Sequence, residues 1–444
     1  MRREVFDEMR KRTIGLLILL MAACVATAPS PSTACEVATA PSPSTAGEVL
    51  QDLIRVGRSK SYYWVWCRPW RASAWVAKGE RRNTVMKDGR FEPAPLEQTK
   101  LELSRSSRLG DLPPSWRAHL YYDDLGTITG SWNSPAFYAA NRASATAVIR
   151  KAWKDHRAVC IFSWHADGPC VTNGFKETAA YRFRCTEHPN VFRAILDDEQ
   201  WLCGAGSRDP NQRNTPTTPR RWFLKQLDDI VDFFNGLTDE DGRPIPVIFR
   251  YAHEMEDSWQ WWGRKFCTRD EYVRLMRFVA DTLRRRCGAD RLLFLYSPDR
   301  YWKDFGAEGD GGGNYLSWYP GDGYVDIIGY DDYSIGQARK GQNKEKVKTA
   351  EQRAAEHAES LRKMRLISAF ADAHGKAACL AESGVDGSED YFARMAELLA
   401  DEQVHFAFFT TWCGRWFEPA TPTAVEDRRF FLEKAPVLID KEGS

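Results

Sequence analysis

Strand-like and helix-like segments alternate along residues 49–444, and this alternation predicts an α/β fold of the (β/α)₈ TIM-barrel type. Two observations carry the prediction. Eight short apolar runs have the length and residue content of β-strands, and no second linker interrupts them, so one domain is the simplest interpretation. In such a barrel the active site lies at the carboxyl ends of the strands, so the residues that follow each run matter most.

The predicted strands follow one another along the whole of this domain. They are Tyr62–Trp66, Ala118–Tyr122, Ala158–Ser163, Pro246–Tyr251, Arg291–Tyr296, Val325–Gly329, Ala378–Ala381 and Phe406–Thr411. Helical patterns lie between them and supply the crossovers that parallel strands require. The clearest helices are Arg220–Leu237, Thr268–Arg286, Glu351–His374 and Tyr391–Asp401.

The composition excludes some classes of function. With 62 basic and 61 acidic residues, the chain has a formal net charge of +1, whereas a nucleic-acid-binding domain is normally strongly basic. We therefore expect no nucleic-acid partner. Aromatic residues make up 13% of the chain and include 17 tryptophans, an excess that is common where flat ligand faces are stacked.

The first 23 residues have the pattern of a secretory signal peptide. Arg10, Lys11 and Arg12 precede an apolar run that ends at Met21 and is too short to span a bilayer. The ending Ala-Ala-Cys24 resembles a bacterial lipoprotein signal, in which the cysteine becomes the lipidated first residue. The sequence predicts export, either as a cell-surface or outer-membrane lipoprotein anchored through lipidation of Cys24 or as a plainly secreted protein.

A duplicated linker separates this signal from the folded part of the chain. The segment from Val25 to Glu36 recurs as Val37 to Glu48, with Gly47 in place of Cys35. Repeats of Ala, Pro, Ser and Thr cannot build a core and act as extended spacers. We therefore expect a signal peptide over residues 1–23, a linker over 24–48 and a catalytic domain over 49–444.

The chain contains 11 cysteines, and an exported protein could pair some of them. Cys170, Cys185 and Cys203 lie in one long loop, where a disulfide would restrict the chain. Cys160 and Cys379 lie within predicted strands and are interpreted as small core residues. The connectivity cannot be deduced from the sequence.

Two glutamates stand at the ends of predicted strands. Glu254 follows the strand that ends at Tyr251 and precedes a cluster of tryptophans, and Glu382 follows the strand that ends at Ala381. Two carboxylates across a barrel mouth are the minimum equipment for cleaving a glycosidic bond, and tryptophans offer flat faces for sugar rings. An ordinary salt bridge is the alternative for either glutamate alone.

The segments around these glutamates resemble glycoside hydrolase family 26, the β-mannanase family of clan A. The most specific match is Phe249-Arg-Tyr-Ala-His-Glu-Met255, followed by Ser258-Trp259 and by Trp261-Trp262-Gly263. The other matching segments, in chain order, are Ser163-Trp-His165, Ser297-Pro298, Tyr319-Pro-Gly-Asp322, Gly329-Tyr-Asp-Asp-Tyr333, and Glu382 with Trp412 behind it.

The resemblance implies a role for each matching residue. Glu254 corresponds to the general acid/base, Glu382 to the nucleophile, and Tyr333 to a tyrosine that hydrogen-bonds the nucleophile. Residues that match substrate-binding or other motif positions are His165, Arg250, His253, Trp259, Trp262, Asp331, Tyr333 and Trp412.

The sequence departs from the family pattern in two places. Glu256-Asp257 replaces the usual Asn-Gly, and an insertion from about Gly168 to Asn214 lengthens the loop after the third strand. Both departures concern subsite specificity. We expect no cofactor and no metal, since Asp257 replaces the second histidine of a zinc helix.

Three functions remain open on the sequence alone. The first is a retaining endo-β-1,4-mannanase that acts on mannan or galactomannan as a monomer and meets the membrane only through its lipid anchor. The second is a related β-1,3-xylanase or mixed-linkage β-glucanase. The third is a catalytically inactive surface glycan-binding lipoprotein, which the paired carboxylates and Tyr333 disfavour.

Overall fold

The structure is a computed structural model of the chain. It describes residues 45–60, 62–66, 80–81, 84–87, 90–93, 120–129, 135–166, 168, 188, 190–202, 217–256, 260–306, 313–340, 346–385, 387–412 and 421–434. The predicted signal peptide, Cys24, nearly all of the predicted linker, Trp259 and the cysteines at 170, 185 and 203 lie outside the described residues.

The main sheet consists of eight parallel strands in the order β1-β11-β10-β9-β8-β7-β6-β5. The described strands are β1 Tyr63–Trp66, β2 Glu80–Arg81, β3 Thr84–Lys87, β4 Arg90–Pro93, β5 Leu120–Asp124, β6 Val159–Trp164, β7 Val247–Tyr251, β8 Leu292–Tyr296, β9 Ile327–Asp331, β10 Ala377–Ser383 and β11 Phe406–Thr411. All eight predicted strands are confirmed to within two residues at either end.

A small antiparallel sheet of β2, β3 and β4 was not predicted. Its strands are two to four residues long and rich in charged residues, so they carry no apolar pattern that marks a strand.

Eight α-helices are described. They are α1 Thr45–Arg58, α2 Pro135–His156, α3 Val191–Leu196, α4 Pro219–Asn235, α5 Arg269–Cys287, α6 Ala350–Ala373, α7 Tyr391–Ala400 and α8 Pro422–Lys434. The four predicted helices are confirmed as α4 to α7, again to within two residues. Helices α5 and α6 begin with a capping box, in which Thr268 and Glu271, or Thr349 and Gln352, satisfy each other's backbone N–H groups.

The start of α1 lies inside the predicted linker. The helix begins at Thr45, four residues before the expected start of the domain. Since a helix with an apolar face needs a surface to cover, α1 belongs to the folded part of the chain; Leu53 and Val56 are buried in the core. Among the described residues, no helix is both long and apolar enough to cross a membrane.

The core lies on both faces of the sheet. Strands β6 to β11 are buried along their whole length, as expected for parallel strands that have helices on one face. On the outer face, Phe233 and Phe234 of α4 pack against Phe162 of β6, with ring centroids 5.6 and 5.8 Å apart. Cys160 and Cys379 are buried within strands, which confirms their interpretation as core residues.

The sheet curves strongly at its carboxyl edge. Arg250 of β7 contacts Glu382 of β10, although β8 and β9 separate these strands in the sheet. A flat sheet would hold strands three places apart about 14 Å from each other, beyond the reach of these side chains. The curvature therefore brings the ends of distant strands together around one site.

Candidate active site

The candidate site is built from side chains at the carboxyl ends of six parallel strands. Asp124 is the last residue of β5, His165 directly follows β6, and Glu254 lies three residues after β7. Asp331 is the last residue of β9, and Glu382 is the last but one of β10. Ser297 follows β8 directly. Because the strands are parallel, all of these ends meet at the same edge of the sheet.

The backbone around Glu254 adopts a rare conformation. Ala252 and Glu254 both have φ near +50°, a left-handed region that costs non-glycine residues about 1 kcal/mol or more each. Three hydrogen bonds from other segments hold this turn. Tyr272 Oη donates to the Ala252 carbonyl at 2.8 Å, Trp262 Nε1 to the His253 carbonyl at 2.7 Å, and the Glu254 N–H to the Ser297 carbonyl at 3.0 Å.

Arg250 lies completely buried beneath the two glutamates. Its Nε donates to Ser297 Oγ at 2.6 Å, one terminal nitrogen donates to Glu382, and the other donates to Asp331. A buried guanidinium needs such partners, since an unpaired charge in the interior is very costly. Arg250 therefore links two carboxylates that would otherwise repel each other.

The Glu382 carboxyl group accepts hydrogen bonds from two side chains. Besides the contact from Arg250, it receives a hydrogen bond from Tyr333 Oη at 2.7 Å. Burial and the adjacent carboxylate raise the pKa of Tyr333 well above its ordinary value, so the phenol keeps the proton that it donates. The register of β10 against both neighbours shifts just after Leu380, an irregularity that changes the direction of the next side chains.

Three carboxyl groups converge here. Oxygens of Glu254, Asp331 and Glu382 all lie within 4.8 Å of one another, and Glu254 and Glu382 are only 8% and 5% exposed. Burial raises the pKa of Asp331 well above its ordinary range; the charge of Arg250 and a side-chain hydrogen bond with Glu254 oppose this rise, while Glu382 and Asp299 add to it. Like charges this close favour a proton on one member of the group.

A pair of histidines borders the carboxylates. His253 Nε2 lies 3.2 Å from His165 Nε2, and His165 Nδ1 lies 3.2 Å from Asp124 Oδ2. Burial, assisted by the charge of Arg250, lowers the pKa of His253 well below its ordinary value. Burial opposes the charge of Asp124, but contacts with His165 and Gly126 lower the pKa of that carboxyl overall.

A family model for glycosyl hydrolase family 26 matches residues 121–384, which is more than half of the chain. The chain belongs to this family. Its match begins in β5 and ends just after β10, so it includes Asp124, both glutamates and both histidines of the site.

Curated relatives match only parts of the chain. A mannan endo-1,4-beta-mannosidase from Bifidobacterium adolescentis is 31% identical over 204 residues, which is 43% of this chain and 19% of that protein. One from Bacillus subtilis strain 168 is 33% identical over 109 residues, which is 22% of this chain and 26% of that protein. The chain therefore spans between about a fifth and a quarter of the curated relatives it matches.

Solved structures of family 26 share the fold over most of the chain. The endo-beta-1,4-mannanase double mutant from Cellulomonas fimi aligns with a TM-score of 0.60 at 23% identity, covering 90% of this chain and 76% of that one. The β-mannanase BoMan26A from Bacteroides ovatus aligns with a TM-score of 0.61 at 19% identity, covering 90% and 95%.

The structure brings most of the residues predicted from the family resemblance into one site. Glu254, Glu382, Asp331, Tyr333, His165 and His253 form the contacts described above, and Trp412 lies beside His165 with ring centroids 6.0 Å apart. Arg250 and Trp262 are fully buried in this site, and their predicted part in substrate binding stays a prediction.

Two further residues of the site were not predicted. Asp124 ends β5 and is 3% exposed, and its signal in the sequence was only its position after the Leu-Tyr-Tyr run of a predicted strand. Glu256, noted as a departure from the family pattern, is buried, and its Oε2 accepts a hydrogen bond from the Asp299 N–H at 2.9 Å. This carboxylate ties the segment after β7 to the segment after β8.

Proposed function

We propose that this protein is a retaining endo-β-1,4-mannanase that hydrolyses mannan or galactomannan by double displacement. The observation that carries the proposal is the separation of Glu254 and Glu382, whose closest oxygens lie within 4.8 Å. Retaining glycosidases hold their two carboxyl groups about 5–5.5 Å apart, whereas inverting enzymes need about 6.5–9.5 Å to admit a water molecule. Family membership and the names of the curated relatives support the choice of substrate.

In the first step, a Glu382 oxygen attacks the anomeric carbon and the bond to the glycosidic oxygen breaks. Glu254 donates its proton to that oxygen, so the shortened chain leaves as a neutral alcohol. The hydrogen bonds from Tyr333 and Arg250 hold the Glu382 carboxyl group in position before the attack.

In the second step, water attacks the anomeric carbon of the glycosyl–enzyme ester. Glu254, now a carboxylate, takes a proton from the water, and Glu382 leaves as a carboxylate. Two inversions at the same carbon give net retention. Asp331 accepts a hydrogen bond from Arg250 and lies within 4.8 Å of Glu254, and we assign it the role of holding their relative positions.

The same proposal includes a closed (β/α)₈ barrel. Eight parallel strands with β1 and β5 at the two ends of the hydrogen-bonded order support closure between these two strands. Seven strand-to-strand ladders are described, and the eighth would lie between β1 and β5.

Mannose differs from glucose by an axial hydroxyl at C2, next to the carbon that Glu382 attacks. A site whose polar groups suit that hydroxyl leaves them unpaired with glucosides or xylosides, and such mismatches discriminate strongly. His253 lies beside the acid/base, so we assign it a part in this preference, while Trp259 and Trp412 hold the sugar faces. Since Arg250 and Trp262 are fully buried, we assign both a positioning role.

A reducing-sugar assay on mannan, galactomannan, xylan and mixed-linkage glucan tests the function. We expect the rate on mannan to exceed the rates on xylan and β-glucan by at least about 100-fold, and His253→Ala to lose much of that margin. Comparable rates on all four polymers would make the enzyme a less specific β-glycanase. No activity on any of them would leave the inactive glycan-binding lipoprotein as the better interpretation.

We further propose that the protein is exported as a monomeric lipoprotein, anchored through Cys24 and held away from the membrane by the repeat linker. The signal-like residues 1–23 and the cysteine at their end support this proposal. We expect detergent to be needed to extract the protein, and Cys24→Ser to release it. Wild-type protein found wholly in the culture medium, with Cys24 absent or unmodified by mass spectrometry, would instead indicate plain secretion.

A further inference from the structure

A line of polar contacts runs behind the catalytic carboxylates from β7 to β5. Arg250 Nη1 donates to Ser163 Oγ at 3.3 Å, Ser163 Oγ lies 3.4 Å from His253 Nδ1, and His253 Nε2 lies 3.2 Å from His165 Nε2. His165 Nδ1 then lies 3.2 Å from Asp124 Oδ2. We call these five residues the imidazole chain. All of its members except His165 are at most 3% exposed.

The contact with Arg250 determines which atom donates and which accepts in the next contacts of the imidazole chain. A guanidinium can only donate, so Ser163 accepts from Arg250. Within the described part of the chain, the only acceptor in hydrogen-bonding contact with the Ser163 hydroxyl is His253 Nδ1. Ser163 therefore donates to a bare Nδ1, and His253 carries its proton on Nε2, from which it donates to His165 Nε2.

The contacts of Asp124 lead independently to the same donor and acceptor roles. Oδ1 of Asp124 accepts from two backbone N–H groups, those of Gly126 at 2.9 Å and His165 at 3.2 Å. Oδ2 faces the His165 ring, and an ionised carboxylate can only accept. His165 in its neutral form therefore carries its proton on Nδ1 and leaves Nε2 bare, which is the acceptor that His253 requires.

We propose that Asp124 is a positioning residue that fixes the tautomers of His165 and His253 and thereby holds the ring that precedes the acid/base. The consequence reaches both glutamates. His253 is the neighbour of Glu254 in the strained turn, and Ser163 shares Arg250 with Glu382. The effect on catalysis rests on the proposed mannanase function, whereas the tautomers do not.

Asp124→Asn would reverse the donor and acceptor roles of the ring nitrogens in the imidazole chain. In Asp124→Asn the amide oxygen stays with the two backbone N–H groups, so the amide nitrogen faces His165 Nδ1 and donates to it. His165 must then carry its proton on Nε2, and His253 must carry its proton on Nδ1. The Ser163 hydroxyl is left without its acceptor next to Arg250, although the variant has almost the same shape as the original side chain.

The nitrogen-15 spectrum of the histidine rings tests the tautomers without any assay of activity. The full chain has eight histidines, and His165→Gln and His253→Gln assign the two that matter. In the wild type at pH 7 we expect a protonated Nδ1 and a bare Nε2 for His165, and the opposite for His253. Because this spectrum needs no variant at position 124, it decides the proposal even if Asp124→Asn does not fold.

The kinetic test compares Asp124→Asn with a matched control. Asp372 also pairs with a histidine, since its Oδ2 lies 2.5 Å from His405 Nδ1, but this pair lies before β11, at the opposite end of the strands. We expect Asp124→Asn to move the proton to the other ring nitrogen in both His165 and His253. We also expect it to lower kcat/KM on mannan at least about tenfold, since small displacements of catalytic groups cost that much. Asp372→Asn is expected to change neither.

The outcomes separate the proposal from the function on which it rests. Wild-type tautomers opposite to those expected, or a pattern that stays the same in Asp124→Asn, would overturn the role of Asp124. Exchanged tautomers with unchanged kcat/KM would overturn its effect on catalysis. A wild-type enzyme that is inactive on mannan but has the expected tautomers would contradict the proposed function and leave the tautomer assignment intact.

Discussion

Glu254 and Glu382 are the same type of residue, but the protein holds them in two different ways. Glu382 lies within strand β10 and takes its direction from a shift in strand register. Glu254 lies outside β7, in a turn with two left-handed residues that contacts from Tyr272, Trp262 and Ser297 hold in place. Regular structure positions one carboxyl group, and strained structure supported by neighbours positions the other.

Their electrostatic surroundings differ as well. Glu382 accepts hydrogen bonds from the Arg250 guanidinium and the Tyr333 phenol. Glu254 lies beside the buried carboxyl group of Asp331, and like charges this close favour a proton on one member of the pair. In the proposed mechanism these different surroundings distinguish the acid from the nucleophile, because double displacement needs one protonated and one ionised carboxyl group.

The largest effect is expected for Glu382→Ala, which removes the proposed nucleophile. We expect kcat on mannan to fall by at least about 10⁴-fold, since the variant has no carboxylate at this position to form the covalent intermediate, with substrate binding largely intact. Glu402→Ala, at an exposed site before β11, is the matched control and is expected to keep full activity. Appreciable residual turnover by Glu382→Ala would assign the nucleophile to another group.

The next variant, Glu254→Ala, separates the acid from the nucleophile. We expect kcat on mannan to fall about 10²- to 10⁴-fold, the range of general acid catalysis. The glycosylation step on aryl glycosides with good leaving groups is expected to be spared, because these groups depart without a proton. Burst kinetics on both substrate types measure the difference, and equal loss on both would be incompatible with an acid role.

Arg250→Met removes the guanidinium charge that contacts both Glu382 and Asp331. Breaking a buried ion pair from one side costs about 3–5 kcal/mol, so we expect the free energy of unfolding in urea to fall by that amount. Arg286→Met, which breaks the exposed pair with Asp228, is expected to cost less than about 1 kcal/mol. Equal costs for the two variants would show that Arg250 does not compensate the buried carboxylates.

Tyr333→Phe removes the hydrogen bond that the phenol donates to Glu382. A hydrogen bond to a charged group contributes about 1.5–3 kcal/mol, so its loss is expected to lower kcat roughly 10- to 100-fold while the fold stays intact. The comparison of the two glutamates also predicts that aryl glycosides and mannan are affected alike, because both need an ionised Glu382. A loss confined to mannan would move Tyr333 to the acid side of the site.

The smallest expected effect concerns stability and pH. The pKa of His253 lies well below its ordinary value of 6.5, so below that pH the unfolded chain binds a proton that the native protein does not. The free energy of unfolding therefore decreases as the pH falls below 6.5. Urea unfolding of the wild type and His253→Gln at pH 7, 6 and 5 measures the difference, and curves that stay parallel would contradict it.

The fold was largely predictable because its strands are buried on both faces. Runs such as Val-Ile-Phe-Arg-Tyr in β7 and Leu-Leu-Phe-Leu-Tyr in β8 are almost wholly apolar, which is the signature of a parallel sheet covered by helices. The short strands β2 to β4 have no such signature, and α1 was hidden because it begins inside a repeat that has the composition of a spacer.

The sequence predicted the site residues that belong to a family motif. It did not predict the residues whose role depends on burial and on contacts between distant segments. Glu254, Glu382 and Tyr333 follow from the family motifs and from their places after strands. The same motifs do not reveal that Trp262 lies beneath His253, with its indole N–H on a backbone carbonyl. Asp124 belongs to no motif that we identified, and its link to His165 depends on the distance between the ends of β5 and β6 in space.

In the proposed mechanism, Glu382 attacks the sugar while Glu254 first donates and then removes a proton. Proton NMR during the first minutes of mannan hydrolysis tests these roles, because the anomeric signal of the new reducing end appears before mutarotation mixes the two forms. We expect the β-anomer as the first product, which is net retention through a covalent intermediate on Glu382. The α-anomer as the first product would mean direct attack by water, and Glu382 would then not be the nucleophile.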